Sequence, residues 1–362
     1  MEKRQWETKG GVGMLEMIRE AEQELLSYPE WSSSYKAKRR IKMLMGKSVE
    51  PYDKFNWPNG LLAKGIADYY KKHKNSDEAR EILDCLKRYY DAWIQKGSRM
   101  YYLDNAFGGM ALMDLHQSVK DERYKKALEE IAQYLYRHER DTEGSFFYRP
   151  AQKNGYIFVD GIGLTCPFLC RYGSIYGDKN AVHLAAVQIQ NFIQYGMDGK
   201  TGLPYHGYEC ESGIKYGIIG WGRAVGWLMI GMAESLACMD AESQGYEFIK
   251  QAYRHLVDKV ESYQLESGLY SWQLMAKEGP VDTSATAMIL YAIALSLETG
   301  ILIDIHRSRM LRGRDALRNY VKDGKLGNCL AECLGFSMYP QSYGAYPWSL
   351  GPALSLFALT EE

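Results

Sequence analysis

Residues 283–297 read Thr-Ser-Ala-Thr-Ala-Met-Ile-Leu-Tyr-Ala-Ile-Ala-Leu-Ser-Leu. The stretch carries no charge and is long enough for about four helical turns. Small and apolar residues lie all around the helix it would form, and such a helix must be enclosed by protein on every side. Five more segments share this character: residues 59–70, 105–115, 161–176, 222–238 and 349–359. Between them lie charged, amphipathic stretches such as 76–95 and 121–139, whose apolar residues recur at three and four. Ser76 and Asp121 are the expected N-caps of those two, each with acidic residues in the first turn.

Buried helices recurring at intervals of roughly fifty to sixty residues, separated by amphipathic ones, predict two concentric rings. The expected fold is therefore all-α, an (α/α)6 barrel or six-hairpin toroid. Short strand-like pieces at 144–149 (GSFFYR) and 268–273 (GLYSWQ) are expected at one rim. No Pro/Gly/Ser linker divides the chain, so residues 1–362 are expected to form a single domain.

Composition narrows the function by exclusion. A net charge of −1 gives no electrostatic footprint for nucleic acid or an anionic membrane. No apolar run reaches the length of a membrane span, and Lys3, Arg4, Glu7 and Lys9 leave no apolar core for a signal peptide. Seven scattered cysteines, an odd number, point to reduced thiols and a cytoplasmic setting. Cys166/Cys170 and Cys329/Cys333 are spaced i, i+4 without a nearby histidine, so buried thiols are expected rather than a metal site. Walker, dinucleotide-binding, zinc-protease and nucleophile-elbow motifs are missing, and neither metal nor organic cofactor is expected. Twenty-nine tyrosines and eight tryptophans, by contrast, suit a wide, wet cleft lined for sugar.

In a toroid of this kind the N-terminal ends of the inner helices converge on one rim, and chemistry should gather just before them. Asp104 ends Met-Tyr-Tyr-Leu-Asp and Asp160 ends Tyr-Ile-Phe-Val-Asp, each at the mouth of an inner helix. Either could be an N-cap. Bulky Ile157, Phe158 and Val159 would also desolvate the second, and desolvation favours a carboxylic acid that keeps its proton for donation. His206 sits in an aromatic loop, Leu-Pro-Tyr-His-Gly-Tyr-Glu. Trp221-Gly-Arg-Ala-Val-Gly-Trp227 brackets Arg223 with two indoles where a helix begins. Indoles stack on sugar rings and guanidinium grips carboxylates in a fork, so this segment points to an acidic carbohydrate. Asn59, in Asn-Trp57-Pro-Asn-Gly, and Asp282-Thr283 hold matching positions at two other inner helices. Trp272 and Ser342-Tyr-Gly-Ala-Tyr-Pro-Trp348 add aromatic surface to the same rim.

The segments FNWPNG (55–60), YLDNAFGG (102–109), FVDGIGLTCPFL (158–169), LPYHGYE (203–209), WGRAVGW (221–227), GLYSWQ (268–273) and VDTSATAM (281–288) occur in this order. Together they make a chain that resembles glycoside hydrolase family 105, the unsaturated rhamnogalacturonyl hydrolases, and more distantly the unsaturated glucuronyl hydrolases of family 88. The likeness spans nearly the whole chain and implies an (α/α)6 barrel. It implies a substrate that is a lyase product, an oligosaccharide whose non-reducing uronic acid has a C4=C5 double bond. The aspartate matching Asp160 would protonate C4 and help water add at C5, while the one matching Asp104 would assist placement and ionisation. His206, Arg223, Trp221, Trp227, Trp57, Asn59 and Thr283 fall on segments that match the uronate site. Arg223 would grip the substrate carboxylate or orient an aspartate. Relatives often carry Gly-Asn where this chain has Ala224-Val225, which bears on the leaving sugar. A ring-opening epimerase on the same fold would require several rim histidines, and a non-catalytic binding scaffold would have little use for a desolvated acid.

Overall fold

A computed structural model describes residues 3–27, 33–45, 53–149 and 155–361. In chain order its helices are α1 (Lys3–Leu26), α2 (Ser33–Leu44), α3 (Trp57–Lys72), α4 (Ala79–Gln95), α5 (Gly109–Val119) and α6 (Glu122–Arg137). There follow α7 (Val159–Tyr176), α8 (Lys179–Tyr195), α9 (Gly222–Cys238), α10 (Tyr246–Glu261), α11 (Thr283–Glu298), α12 (Arg307–Arg318) and α13 (Pro347–Thr360). Helices α3, α5, α7, α9, α11 and α13 form the inner ring, each packed on the next, and α13 returns to α3 to close it. Amphipathic α1, α4, α6, α8, α10 and α12 lie outside, burying residues such as Ile18, Leu86, Leu128, Ile189, Val257 and Leu317. The fold is the (α/α)6 barrel expected from the alternation of the two helix types.

Close backbone approach holds the inner ring together. A methyl added at Gly65 of α3 would stand 2.5 Å from the Gly351 carbonyl oxygen of α13, and one added at Gly351 would collide with the Leu61 carbonyl. Helices α7 and α9 meet in the same way, because a methyl at Gly163 would stand 2.6 Å from the Trp227 carbonyl oxygen. Small residues in these otherwise apolar helices are therefore required by the spacing of the ring.

Three expectations about local structure need correction. Helix α4 starts at Ala79, after a turn in which the Ala79 N–H bonds the Ser76 carbonyl, so Ser76 does not cap it. Asp121 does cap α6, accepting from the Arg123 N–H. The pieces at 144–149 and 268–273 form single bridges, Arg140 with Phe146, Trp221 with Gln273 and Ser271 with Val281, rather than strands. Each of these pieces begins at a glycine with φ +90°, a turn that breaks the extended run. The rim sheet is instead β1 (Tyr156–Phe158), β2 (Gly207–Glu209) and β3 (Lys215–Tyr216), antiparallel in that order. Two further ribbons follow α12: β4 (Val321–Lys322) with β5 (Lys325–Leu326), and β6 (Cys329–Leu330) with β7 (Tyr343–Gly344). None of the helices, among the described residues, is long and apolar enough to cross a membrane.

Toward the C-terminal ends of the inner helices the ring encloses a network of charges. Lys64 Nζ lies 2.5 Å from Asp68, 2.9 Å from the Tyr291 hydroxyl and 3.3 Å from Glu234. Arg171 grips Asp114, and Lys71 ties Asp68 to Asp114 at 2.8 and 3.5 Å. Burial alone would raise the Asp68 carboxyl, but Lys64 and Lys71 hold it below the usual carboxylate range. Against the same pull of burial, Arg171 and Lys71 lower Asp114. Breaking a buried pair leaves a charge uncompensated, so Lys64→Met should cost about 3–5 kcal/mol in urea unfolding. Both carboxyls are depressed in the folded state, so their contribution is present above their unfolded pKa and lost as pH falls. Unfolding midpoints of the unmodified protein should drop below about pH 4, and the drop should be shallower in Lys64→Met.

Candidate active site

Strand β1 runs directly into α7, and its last residue, Phe158, pairs with Gly207 of β2. The Val159 N–H bonds the His206 carbonyl at 2.9 Å, which locks the start of α7 against the residue before β2. Gly207 has to be glycine here, since a methyl would strike the Ile157 carbonyl oxygen. This register brings Asp160, in the first turn of α7, to His206, with Nε2 3.0 Å from Oδ2. His206 is 1% exposed, whereas the Asp160 side chain keeps 13% of its surface open. The other ring nitrogen, Nδ1, lies 2.9 Å from the Tyr339 hydroxyl, and the Ile218 N–H donates to that same hydroxyl at 3.3 Å. With its oxygen accepting from Ile218, the Tyr339 hydroxyl is free to donate to Nδ1. A Tyr339 hydroxyl that donates to Nδ1 places the imidazole proton on Nε2, in line with Asp160.

Asp160 and His206 open onto a cavity of about 240 Å³ lined also by Trp57, Leu164, Phe158, Trp221, Arg223 and Trp227. Tyr148, Arg149, Glu332, Cys333 and Gly335 complete its wall. Trp57 meets Trp227 edge-on at 5.8 Å and Trp348 at 5.3 Å, while Trp221 packs on His206 at 4.6 Å. A larger groove of about 600 Å³ lies between α1 and α12, lined by Met14, Met17, Arg314, Arg318 and Phe357. Among the described residues its lining has no carboxyl–histidine contact, whereas the smaller cavity holds one together with three tryptophans.

Of the residues singled out by sequence, Trp57, Asp160, His206, Trp221, Arg223 and Trp227 line this cavity. Asp104, in a 3-10 helix (Leu103–Gly108) ahead of α5, is 2% exposed and stands one layer back. It accepts from Arg149 at 2.8 Å and from the Tyr148 hydroxyl at 3.2 Å, and both donors face the cavity. Burial and the fields of Asp104 and Asp160 push the Tyr148 phenol well above its ordinary range, so it stays protonated and donates. Asn59 and Thr283 are turned to the scaffold instead. Asn59 donates to the Lys54 carbonyl at 2.9 Å and Thr283 to the Gly327 carbonyl at 2.7 Å. Asp282 caps α11 and accepts from the Leu330 N–H.

Arg223 holds the C-terminal strap. Its guanidinium donates to the carbonyls of Leu330 and Ala331, both at 2.7 Å, and lies 3.8 Å from Asp282. Part of the donor fork remains toward the cavity, over the Trp221 ring at 4.8 Å. Tyr148, Arg149, Glu332, Cys333 and Tyr339 escaped the sequence reading. The rim piece 144–149 contains two of them, but the others sit in the strap between β6 and β7, which has no periodicity to mark it. Cys333 of the i, i+4 pair packs against the core and also lines the cavity, and burial with Asp160 nearby pushes its thiol up to about 12. The described His, Cys, Asp and Glu residues form no cluster of three or more that could hold a metal. The arrangement offers a carboxyl backed by a histidine donor, between indole faces and beside guanidinium. It is suited to moving a proton on a sugar that carries a carboxylate.

The family model of Glycosyl Hydrolase Family 88 matches residues 31–361. The unsaturated rhamnogalacturonyl hydrolase YesR of Bacillus subtilis (strain 168) is 25% identical over 248 residues, covering 67% of this chain and 71% of that protein. A possible member of the GH105 family from Klebsiella pneumoniae superposes with a TM-score of 0.80 at 18% identity, over 96% of this chain and 92% of that one. The unsaturated glucuronyl hydrolase of Bacillus sp. GL1, responsible for the degradation of glycosaminoglycan, superposes with a TM-score of 0.68 at 18% identity, over 86% and 87%.

The hydroxyl–imidazole–carboxyl chain is open to direct observation. Nitrogen NMR of the unmodified protein should show His206 protonated at Nε2, and Tyr339→Phe should shift the population toward the Nδ1 form. An unchanged imidazole spectrum in the variant would remove Tyr339 from the chain.

Proposed function

The chain belongs to Glycosyl Hydrolase Family 88 and is a glycoside hydrolase of the unsaturated uronyl class; on that footing we propose a substrate, a mechanism and the residues that carry it. The substrate is a 4,5-unsaturated galacturonyl-rhamnose unit released from rhamnogalacturonan by a lyase. The protein takes the unsaturated uronic acid from the non-reducing end. The observation that carries this reading is the Asp160–His206 contact inside a cavity walled by three tryptophans and two arginines. The name of the Bacillus subtilis relative supports the choice of leaving sugar.

Protonated Asp160 gives its proton to C4. The C4=C5 electron pair forms the new C4–H bond, and the positive charge left at C5 is shared by the ring oxygen. Water then bonds to C5 and returns a proton to the Asp160 carboxylate. The resulting hemiketal opens by breaking the bond between C5 and the ring oxygen, leaving a ketone at C5 and a hydroxyl on C1. Collapse at C1 expels the neighbouring sugar as its alcohol, with one water consumed overall. No glycosyl-enzyme bond forms, so the separation of two carboxyls does not set the stereochemistry as it does in ordinary glycosidases.

His206 holds Asp160 in place through its Nε2–H and stabilises the carboxylate that forms when C4 is protonated. Asp104 is a positioning residue: it fixes Arg149 and Tyr148, and these two meet the sugar. The free edge of Arg223, with Arg149 opposite, receives the uronate carboxylate. Trp57, Trp221 and Trp227 stack on the ring faces. An epimerase reading finds no second histidine on the cavity wall among the described residues.

The test is the ultraviolet absorbance of the conjugated double bond. The unmodified protein should abolish it with unsaturated galacturonyl-rhamnose, and Asp160→Asn should turn over at least ~100-fold more slowly. Full activity in Asp160→Asn would assign the acid elsewhere. Arg223→Ala should lower kcat/KM by about tenfold or more, a loss of ~1.4 kcal/mol, since it removes both a substrate donor and the anchor of the strap.

A further inference from the structure

Helix α2 is amphipathic, yet its apolar side is left open. The outer-ring helices bury residues such as Leu86 and Leu128, whereas on α2 and its last turn Ile41 is 56% exposed, Met45 63% and Leu44 82%. Ala37, Lys38, Arg40 and Lys42 are exposed as well. Ala37, Ile41, Leu44 and Met45 follow one another at four, three and one, so they share one side of the helix. The Met45 N–H bonds the Ile41 carbonyl at 3.0 Å, which keeps the last of them in helical register. Lys38 and Arg40 flank this stripe on opposite sides.

Charge in this part of the chain has one sign. From residue 31 to 49 there are six cations, Lys36, Lys38, Arg39, Arg40, Lys42 and Lys47, and no acid. The whole chain balances 44 cations against 45 acids, so the net charge of −1 hides this basic run. An open apolar stripe within a basic helix asks for an occupant that is both anionic and oily. A nucleic acid or an acidic polysaccharide would take the cations and leave isoleucine, leucine and methionine in water. A second copy meeting α2 about a two-fold axis would cover the stripe but set like charges against each other.

We propose that α2 is an interfacial helix that holds the protein on a membrane surface of anionic phospholipid. It lies flat, with Ile41, Leu44 and Met45 at the acyl boundary and the cations among the headgroups. The long stems of Lys38 and Arg40 reach from the edge of the stripe to the phosphates while their charges stay wet. Each cation near such a surface adds to the attraction, and the apolar stripe supplies the part that salt does not screen. A helix of 12 residues lies on a bilayer rather than across it, in keeping with helices too short or too polar to span one. None of these residues lines the sugar cavity, so the assignment stands apart from the reading of the active site.

The experiment floats the full chain with vesicles of phosphatidylcholine alone and of phosphatidylcholine with an equal part of phosphatidylglycerol, at low and at high salt. The protein should partition onto the mixed vesicles at low salt, about tenfold more weakly onto the neutral ones, and less onto the mixed ones as salt rises. Lys38→Gln with Arg40→Gln should lower partition onto the mixed vesicles by about tenfold. Ile41→Gln with Leu44→Gln should lower it by a similar factor and leave the preference for the anionic lipid in place. All four side chains are exposed, so both variants should unfold at the temperature of the unmodified protein and match its kcat/KM on a soluble disaccharide. No flotation at low salt, equal flotation with both lipids, or either double variant floating like the unmodified protein overturns the proposal. A dimer in sedimentation that Leu44→Gln dissolves, with no flotation, overturns it too and makes the stripe a contact between copies. If the protein floats as expected but never consumes the unsaturated sugar, the catalytic reading fails while the surface assignment stands.

Discussion

The structure depends on how closely α3 and α13 approach. Gly65 and Gly351 bring the two backbones to a separation that no larger residue permits, and this contact closes a ring whose other joints are made in sequence order. Once the ring closes, the N-terminal ends of the inner helices share one rim. Trp57 at the start of α3 then meets Trp348 at the start of α13, and the Trp348 indole reaches the Leu330 carbonyl in the strap. A change in helix spacing would therefore reach the cavity through the strap as well as through the barrel wall.

The barrel separates two kinds of polar chemistry. Toward one end, Lys64, Asp68, Asp114, Arg171 and Glu234 pair with one another through Lys71, with Tyr291 donating to Glu234, so each buried charge has an opposite charge beside it. Toward the other end, satisfaction is left incomplete. Asp160 keeps an open face, Arg223 keeps part of its fork, and Glu332 has no partner among the described residues. Buried polar groups ordinarily find partners, and groups left without them at a cavity are those available to a ligand.

Arg223 shows how one side chain can serve scaffold and site together. Its two carbonyl contacts fix the strap, the strap carries Tyr339 and Glu332, and Tyr339 orients the imidazole that holds Asp160. The choice between gripping a substrate carboxylate and orienting an aspartate is thus recast. The guanidinium is bonded to backbone, and only its remaining edge faces the cavity.

The ring of helices was legible in the chain itself, because a helix apolar on every side has no stable place except inside other helices, and six such segments alternate with amphipathic ones. The motifs around Asp104, Asp160, His206 and Arg223 were legible for a similar reason: each precedes an inner helix, where the fold gathers its helix starts. Short rim strands were not, since β1, β2 and β3 are two or three residues long and pair across gaps that local patterning does not register. Nor could the sequence separate Asn59 and Thr283, which bond the scaffold, from Trp57, which faces the cavity, because all three sit at equivalent helix starts. Tyr148, Arg149, Glu332 and Tyr339 come from loops with no period at all. Their convergence on Asp104, Asp160 and His206 is decided by ring closure, by the backbone pairing of β1 with β2, and by side-chain bonds such as Arg223 to Leu330 and Tyr339 to His206 across more than a hundred residues. Local sequence determined which helices are inner and where their mouths lie, and only tertiary packing decided which side chains meet there.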